Sequence, residues 1–313
     1  MGAFARSVRL AARRAEELDD PRLRPWVRPA SLSLAWLAVR RHDVSCNICG
    51  WHGDDFKGVH HSESATCPRC GSIARDRFLY HCWVRREPYR AESRVLETSP
   101  RLAAAYKRRM AGLVDYVSSD YDERAHKADM HLDLQSLSLE DASVDVILTP
   151  HVLEHVPETD RALSEMYRVL KPGGLALVLV PVPQAQTARP TEPEYHGDDT
   201  LVHWRFGWDL TSRLRSHGFL TRILVTEDFL RRARTAATWD ANPADVDANE
   251  LIREAGPYIP DMLTVASDEE VAWLRLEPSY YFIAWEARKP EPGRRRDAAG
   301  ADEHGARHQA AGP

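Results

Sequence analysis

No apolar run in this 313-residue chain approaches the ~20 residues that a membrane-spanning helix needs, so no bilayer span is expected. The opening segment, MGAFARSVRLAARRAEELDD, lacks the continuous apolar core of a secretory leader. A weakly amphipathic helix fits it instead, with Phe4, Val8, Ala11, Ala15 and Leu18 on one face. A cytoplasmic location is the resulting expectation. No internal repeat is visible, so one large domain or two ordinary ones must account for the chain. The 43% hydrophobic content suffices for a sizeable core.

Cysteine is scarce, and its placement is informative. Four of the five form two knuckles, Cys46-Asn47-Ile48-Cys49-Gly50 and Cys67-Pro68-Arg69-Cys70-Gly71, separated by 17 residues. A C-x-x-C turn puts two thiolates on one side of a tight loop, and the following glycine lets backbone amides approach the sulfurs. Two such loops facing each other build a tetrahedral four-thiolate site for Zn2+. A reducing cytoplasm argues against the alternative, a pair of disulfides. With no coordination position left open, the ion is expected to be structural, stabilising a segment too small to bury enough surface alone. Cys82, in an expected helix from Ser72 to Arg86, is read as a small core residue.

Net charge is -5, yet residues 1–110 carry 21 Lys and Arg against 12 Asp and Glu, while the remaining 203 carry 21 against 35. The first third is thus +9 and the rest -14. A basic first third suits phosphate or another acidic partner, nucleic acid included. The alternative is a solvated, arginine-rich surface.

The residues from Ser143 to Pro181 read as strand, loop, amphipathic helix, stop and strand. Val144, Val146, Ile147 and Leu148 suit a strand buried in a parallel sheet. Thr159 is the expected helix cap, with Asp160 in the first turn. Ala162, Leu163, Met166, Val169 and Leu170 share a face, and Lys171-Pro172-Gly173-Gly174 end the helix before a strand from Leu175 to Val180. This is a βαβ unit, so a parallel sheet follows. His151-Val152-Leu153-Glu154-His155 also spells H-x-x-E-H, an inverted zinc-protease motif. That motif needs a stable helix. Pro157 lies just downstream and the segment leaves a strand, so a loop beside a ligand pocket is the better reading. Upstream, strands are expected at 94–98, 114–118 and 130–134, with a helix at 101–110. They present Glu97, Asp120 and Asp133 near one edge, where carboxylates suit ribose hydroxyls.

Four blocks in order, Asp133-Leu134-Gln135-Ser136-Leu137, Asp141-Ala142-Ser143-Val144-Asp145, His151 to Val156 and Arg168 to Gly174, carry a resemblance. The chain resembles class I S-adenosylmethionine-dependent methyltransferases of the type-11 kind over about residues 93–225 and 280–287. The implied fold is α/β: a Rossmann-like, mostly parallel seven-stranded sheet with helices on both faces and an antiparallel last strand. The implied cofactor is S-adenosylmethionine. The resemblance puts Asp120 on the ribose, Asp133 and Leu134 at the adenine, His151 beside the methionine moiety and Glu97 at the acid position closing the first strand. One departure stands out. The family's glycine-rich loop is replaced by Ser99-Pro100-Arg101-Leu102-Ala103, which makes Ser99 the loop's cofactor-side residue. Arg101 is a candidate for the methionine carboxylate or a plain helix-start residue. Branches of the family with an N-terminal four-cysteine module can look like this.

The expected organisation is a helical segment (1–42), the four-cysteine module with its linking helix (43–90), the methyltransferase domain (91–288) and a disordered tail (289–313) too polar to fold. Within the domain, 184–208 reads as a lid and 230–275 as an insertion over the acceptor side. Tyr195 and Arg205 are substrate candidates, and His203 or His196 is a candidate general base. The alternative is that the lid's aromatics pack it onto the core and its histidines satisfy hydrogen bonds. A small-molecule acceptor is the first expectation, a nucleic-acid acceptor the second. A non-enzymatic adapter with a degenerate cofactor loop is the third.

Overall fold

The computed structural model describes residues 44–58, 65–87, 90–100, 104–122, 127–182, 184–196, 199–237, 251–276 and 282–293. The expected N-terminal helix, Arg101 and the tail from 294 onward lie outside the described residues. Strands β1 (Val44–Ser45) and β2 (His52–Gly53) pair antiparallel beside the first cysteine knuckle, and helix α1 (Ala74–Arg86) follows the second. Next come β3 (Arg94–Thr98), α2 (Ala104–Ala111), β4 (Asp115–Asp120), β5 (Met130–His131), β6 (Val144–Pro150), α3 (Thr159–Val169) and β7 (Leu170–Leu179). A short hairpin, β8 (Glu194–Tyr195) and β9 (Leu201–Val202), precedes α4 (Leu210–Ser216) and β10 (Leu220–Thr226). The chain continues through α5 (Glu227–Ala237), β11 (Met262–Ala266), α6 (Asp268–Leu274) and β12 (Ile283–Arg288).

The main sheet runs β11-β10-β12-β7-β6-β3-β4-β5. Only β12 is antiparallel to its neighbours. All seven expected strands are present, and β11 adds an eighth beyond β10. The interval read as an acceptor-side insertion therefore partly extends the sheet, and α6 packs on β1 and α1, beside the cysteine knuckles. Edge placement explains the miss. β11 is short and half exposed in its middle, so it lacks the continuous apolar run of a central strand.

Alternating side chains divide two buried clusters between the faces of the sheet. Leu96 and Ile147 point to the cluster holding α3, α4 and α5, whereas Val95, Val146 and Leu148 point to the one holding α1 and all four knuckle cysteines. The cysteine module is thus part of the sheet's covering layer, with α1 lying on β6, β7 and β11.

Helix α3 buries Ala162, Leu163, Met166 and Val169 completely, and each of the larger three contributes about 2 kcal/mol. Thr159 is not its cap. Glu158 holds that position, while the Thr159 hydroxyl sits inside the first turn and donates to the Val156 carbonyl at 3.2 Å. The helix stops at Val169 and passes directly into β7, so Lys171-Pro172-Gly173-Gly174 lie within the strand. Gly173 has φ +80°, and a Cβ on Gly174 would stand 2.8 Å from the Lys171 carbonyl, which is why both are glycine. The expected tail begins too early at 289. Lys289 exchanges backbone hydrogen bonds with Gly173 and Gly174, and its ammonium donates to the Tyr167 and Leu170 carbonyls at 2.8 Å. A cation there also suits the C-terminal dipole of α3.

Candidate active site and thiol cluster

Strand order reverses between β3 and β6, since β4 and β5 lie to one side and β7 to the other. Ligands of open α/β sheets bind at such a switch point, beyond the carboxyl ends of the strands. Parallel register brings those ends level. Thr98 pairs with Ser119, Asp120 with His131, and Glu97 with Leu148. Ser99 follows β3, Asp120 closes β4, Asp133 and Leu134 follow β5, and His151 follows β6, so the expected cofactor residues share one edge.

Two of them flank the switch point in the left-handed region, Ser99 at φ 47° and His151 at φ 53°. Ser99 therefore adopts a backbone that glycine takes without strain, and its amide donates to the Ser119 carbonyl at 2.6 Å. Non-glycine residues are held this way at a cost and concentrate at functional sites. Asp133 does not continue β5. It caps a turn by accepting from the Gln135 amide at 2.8 Å, while Leu134 is buried. Arg168 fixes the loop beyond, donating to the Leu137 and Leu139 carbonyls at 2.8 Å and pairing with Glu165 and Asp141. Asp120 accepts from the Asp122 amide at 3.1 Å.

Glu97 turns toward α2. Its Oε2 accepts from the hydroxyls of Tyr106 and Tyr116, each at 2.8 Å, and burial pushes its pKa up to about 7. Its side chain is thus packed in the protein interior.

The H-x-x-E-H residues form a loop, with one 3-10 turn from Leu153 to His155. The lid docks on it: the Glu154 carbonyl accepts from the amides of His203 at 2.8 Å and Trp204 at 3.1 Å. His155 Nδ1 lies 2.8 Å from the Leu201 carbonyl, and its ring meets that of His196 edge-on at 4.7 Å. Phe206 and Trp208 are fully buried, so the lid's aromatics do pack it down. Burial lowers the pKa of His203, and the nearby charges of Arg189 and His155 add to this. Tyr195 is exposed, and Arg205 is held by Glu194 at 2.7 Å. Of the four acceptor-side candidates, His196 presents a ring nitrogen to Glu154 and His203 bonds it through the backbone amide; Tyr195 and Arg205 face solvent.

On the opposite face, Cys46, Cys49, Cys67 and Cys70 converge, with all four sulfurs within 4.8 Å of one another. Cys46 to Cys70 and Cys49 to Cys67 are 3.6 Å apart, and neither pair is a disulfide. Zinc–sulfur bonds of ~2.3 Å in a tetrahedron separate sulfurs by about 3.8 Å, so the cluster fits such an ion. Four thiolates around one divalent ion would carry a net negative charge, and a cation is buried beside the four sulfurs. Arg77 is 0% exposed and donates to the carbonyls of Leu274, Ala65 and Ser72 at 2.8–2.9 Å. Its guanidinium stacks on Phe56 at 3.8 Å. Burial lowers its pKa against the raising influence of Cys46, Asp76, Cys67 and Cys70. Nothing in the local sequence marks Arg77, because its burial depends on Leu274, 197 residues along the chain, as well as on Ala65 and Ser72 nearby.

The sequence has relatives over part of its length. It is 40% identical over 89 residues to a probable S-adenosylmethionine-dependent methyltransferase of Mycolicibacterium smegmatis, covering 26% of this chain and 32% of that protein. It is 39% identical over 64 residues to a demethylmenaquinone methyltransferase of Staphylococcus epidermidis, covering 20% and 24% respectively. The aligned parts thus span about a third or less of these relatives. Among solved structures, a SAM-dependent methyltransferase from Archaeoglobus fulgidus is similar at 20% identity and a TM-score of 0.40, covering 70% of this chain and 95% of that one. The stretch from just before β3 to near the end of β7, residues 92–178, matches the family model of a methyltransferase domain, and it is this domain that carries Ser99, Asp120, Asp133 and His151.

Proposed function

We propose that the protein is an S-adenosylmethionine-dependent methyltransferase acting on an oxygen or nitrogen of a small-molecule acceptor. The observation that carries this reading is the alignment of Ser99, Asp120, Asp133, Leu134 and His151 along the switch-point edge, within residues that match a methyltransferase domain. When bound, S-adenosylmethionine supplies an electrophilic methyl group. In this reading Asp120 meets the ribose hydroxyls, Leu134 the adenine face, and the left-handed backbone at Ser99 lets the ligand approach closely. In-line transfer depends chiefly on positioning, so the chain's main work is to hold donor and acceptor in register and exclude water under the lid. His203, kept neutral by its lowered pKa, is the group suited to accept a proton from the acceptor. The four thiols form, in this reading, a structural zinc site that fixes α1 on the sheet.

Calorimetry of the full chain with S-adenosylhomocysteine tests the reading. Saturable one-site binding, weakened at least tenfold by Asp120→Ala, is expected. Absence of both heat and thermal stabilisation overturns it.

A further inference from the structure

A second convergence of ligand atoms lies under the lid. One ligand atom from each of Glu154, His155 and His196 falls within 4.8 Å of the others. Glu154 is 1% exposed, and neither carboxylate oxygen has a hydrogen-bond donor among the described residues. His151 Nδ1 lies 3.4 Å from Oε1. Such a carboxylate is costly to bury unless something positive meets it.

His155 points to what that is. Its Nδ1 faces the Leu201 carbonyl at 2.8 Å, and a carbonyl only accepts, so Nδ1 carries the proton. Nε2 then presents a lone pair, and this atom is buried without a partner. A histidine tied to a carbonyl through one nitrogen, with the other free, is in the tautomer and orientation of a metal ligand. Two acceptors, a carboxylate and an imidazole nitrogen, face one another, and His196 closes the third side from the lid. Metal bonds of ~2.1 Å keep ligand atoms within about 4.2 Å of each other, so closure needs movements below about 1 Å.

We propose that Glu154, His155 and His196 bind a divalent transition-metal ion at the carboxyl end of β6. Two imidazoles and one carboxylate suit Zn2+, Fe2+ or Co2+, and three protein ligands leave positions open for water or an oxygen-bearing molecule. His155 and His196 are both partly exposed, which leaves an entry route from the lid side. The site goes beyond the methyl-transfer reading and is tested without it. The H-x-x-E-H pattern points at the right residues with the wrong partner. His151 flanks the Glu154 carboxylate at 3.4 Å without joining the three convergent ligand atoms, and the second imidazole comes from the lid instead.

The test is metal counting on the full chain, stripped with a chelator, reloaded with Co2+ and desalted. Two ions per chain are expected, one for each cluster. The thiolate-bound ion gives an intense near-ultraviolet charge-transfer band, and the other only weak visible bands. Glu154→Gln and His196→Ala should each remove the second ion and leave the thiolate band intact. His196 lies on the partly exposed lid, so its removal does not threaten the core. A wild-type protein that binds only through its thiolates, or a second ion that survives both substitutions, overturns the proposal.

Discussion

The Tyr106 hydroxyl donates to Oε2 of Glu97 across 2.8 Å, tying helix α2 to strand β3 within the buried layer. Tyr116 donates to the same oxygen from β4, so one carboxylate joins three elements.

That arrangement predicts a pH dependence. Burial raises Glu97 to about 7 from an ordinary 4.5, so the folded state holds a proton that the unfolded chain has released. The sign follows: stability is full below about pH 4.5 and falls as pH rises toward 7. Glu97→Gln keeps the acceptor oxygen and removes the titration. It should flatten denaturant-unfolding stability over this window and gain on the order of 2–3 kcal/mol at pH 8. An unchanged pH profile in the variant would refute the assignment.

Metal removal should act on the whole sheet, because α1 and the thiol cluster share a core with β6 and β7. Chelation of the thiol-bound ion is expected to lower Tm by about 10 °C, and Cys46→Ser should lose that ion and do the same without chelator. Calorimetry with metal analysis reads both outcomes.

Arg77→Met keeps the length of the stem and deletes the guanidinium. Three buried carbonyls lose their donor, and the thiolates lose their buried cation. A loss of about 3–5 kcal/mol is expected in denaturant unfolding. Arg85→Met, on the half-exposed end of the same helix, should cost about 1 kcal/mol or less.

Ser99→Gly should raise stability by about 0.5–1 kcal/mol, since φ 47° is strained for serine and free for glycine. Ser99→Val should lower it by more than that. Thermal unfolding of the two variants side by side measures the strain held beside the switch point.

Much of the site was legible because its signals are local. Paired C-x-x-C knuckles declare a four-thiol cluster wherever the chain takes them, and the βαβ rhythm from Ser143 to Pro181 implies a parallel sheet with its ligands at one edge. Thr159 misled because several residues in a helix's first turn can look like caps, and only backbone geometry chooses among them. The interval around β11 misled because an edge strand needs little apolar periodicity once a neighbour supplies its hydrogen bonds.

By itself, the sequence determined the layer architecture, the carboxylates at successive strand ends and the four sulfur ligands, since each depends on residue type and short spacing. Tertiary structure alone decided where those groups face. It turned Glu97 onto two tyrosines, set Arg77 between carbonyls flanking the second knuckle and that of Leu274, and carried His196 on a docked lid to His155. The physical reason is common to all three: burial removes water as a partner, so each polar group takes whatever distant donor or acceptor the packing brings to it.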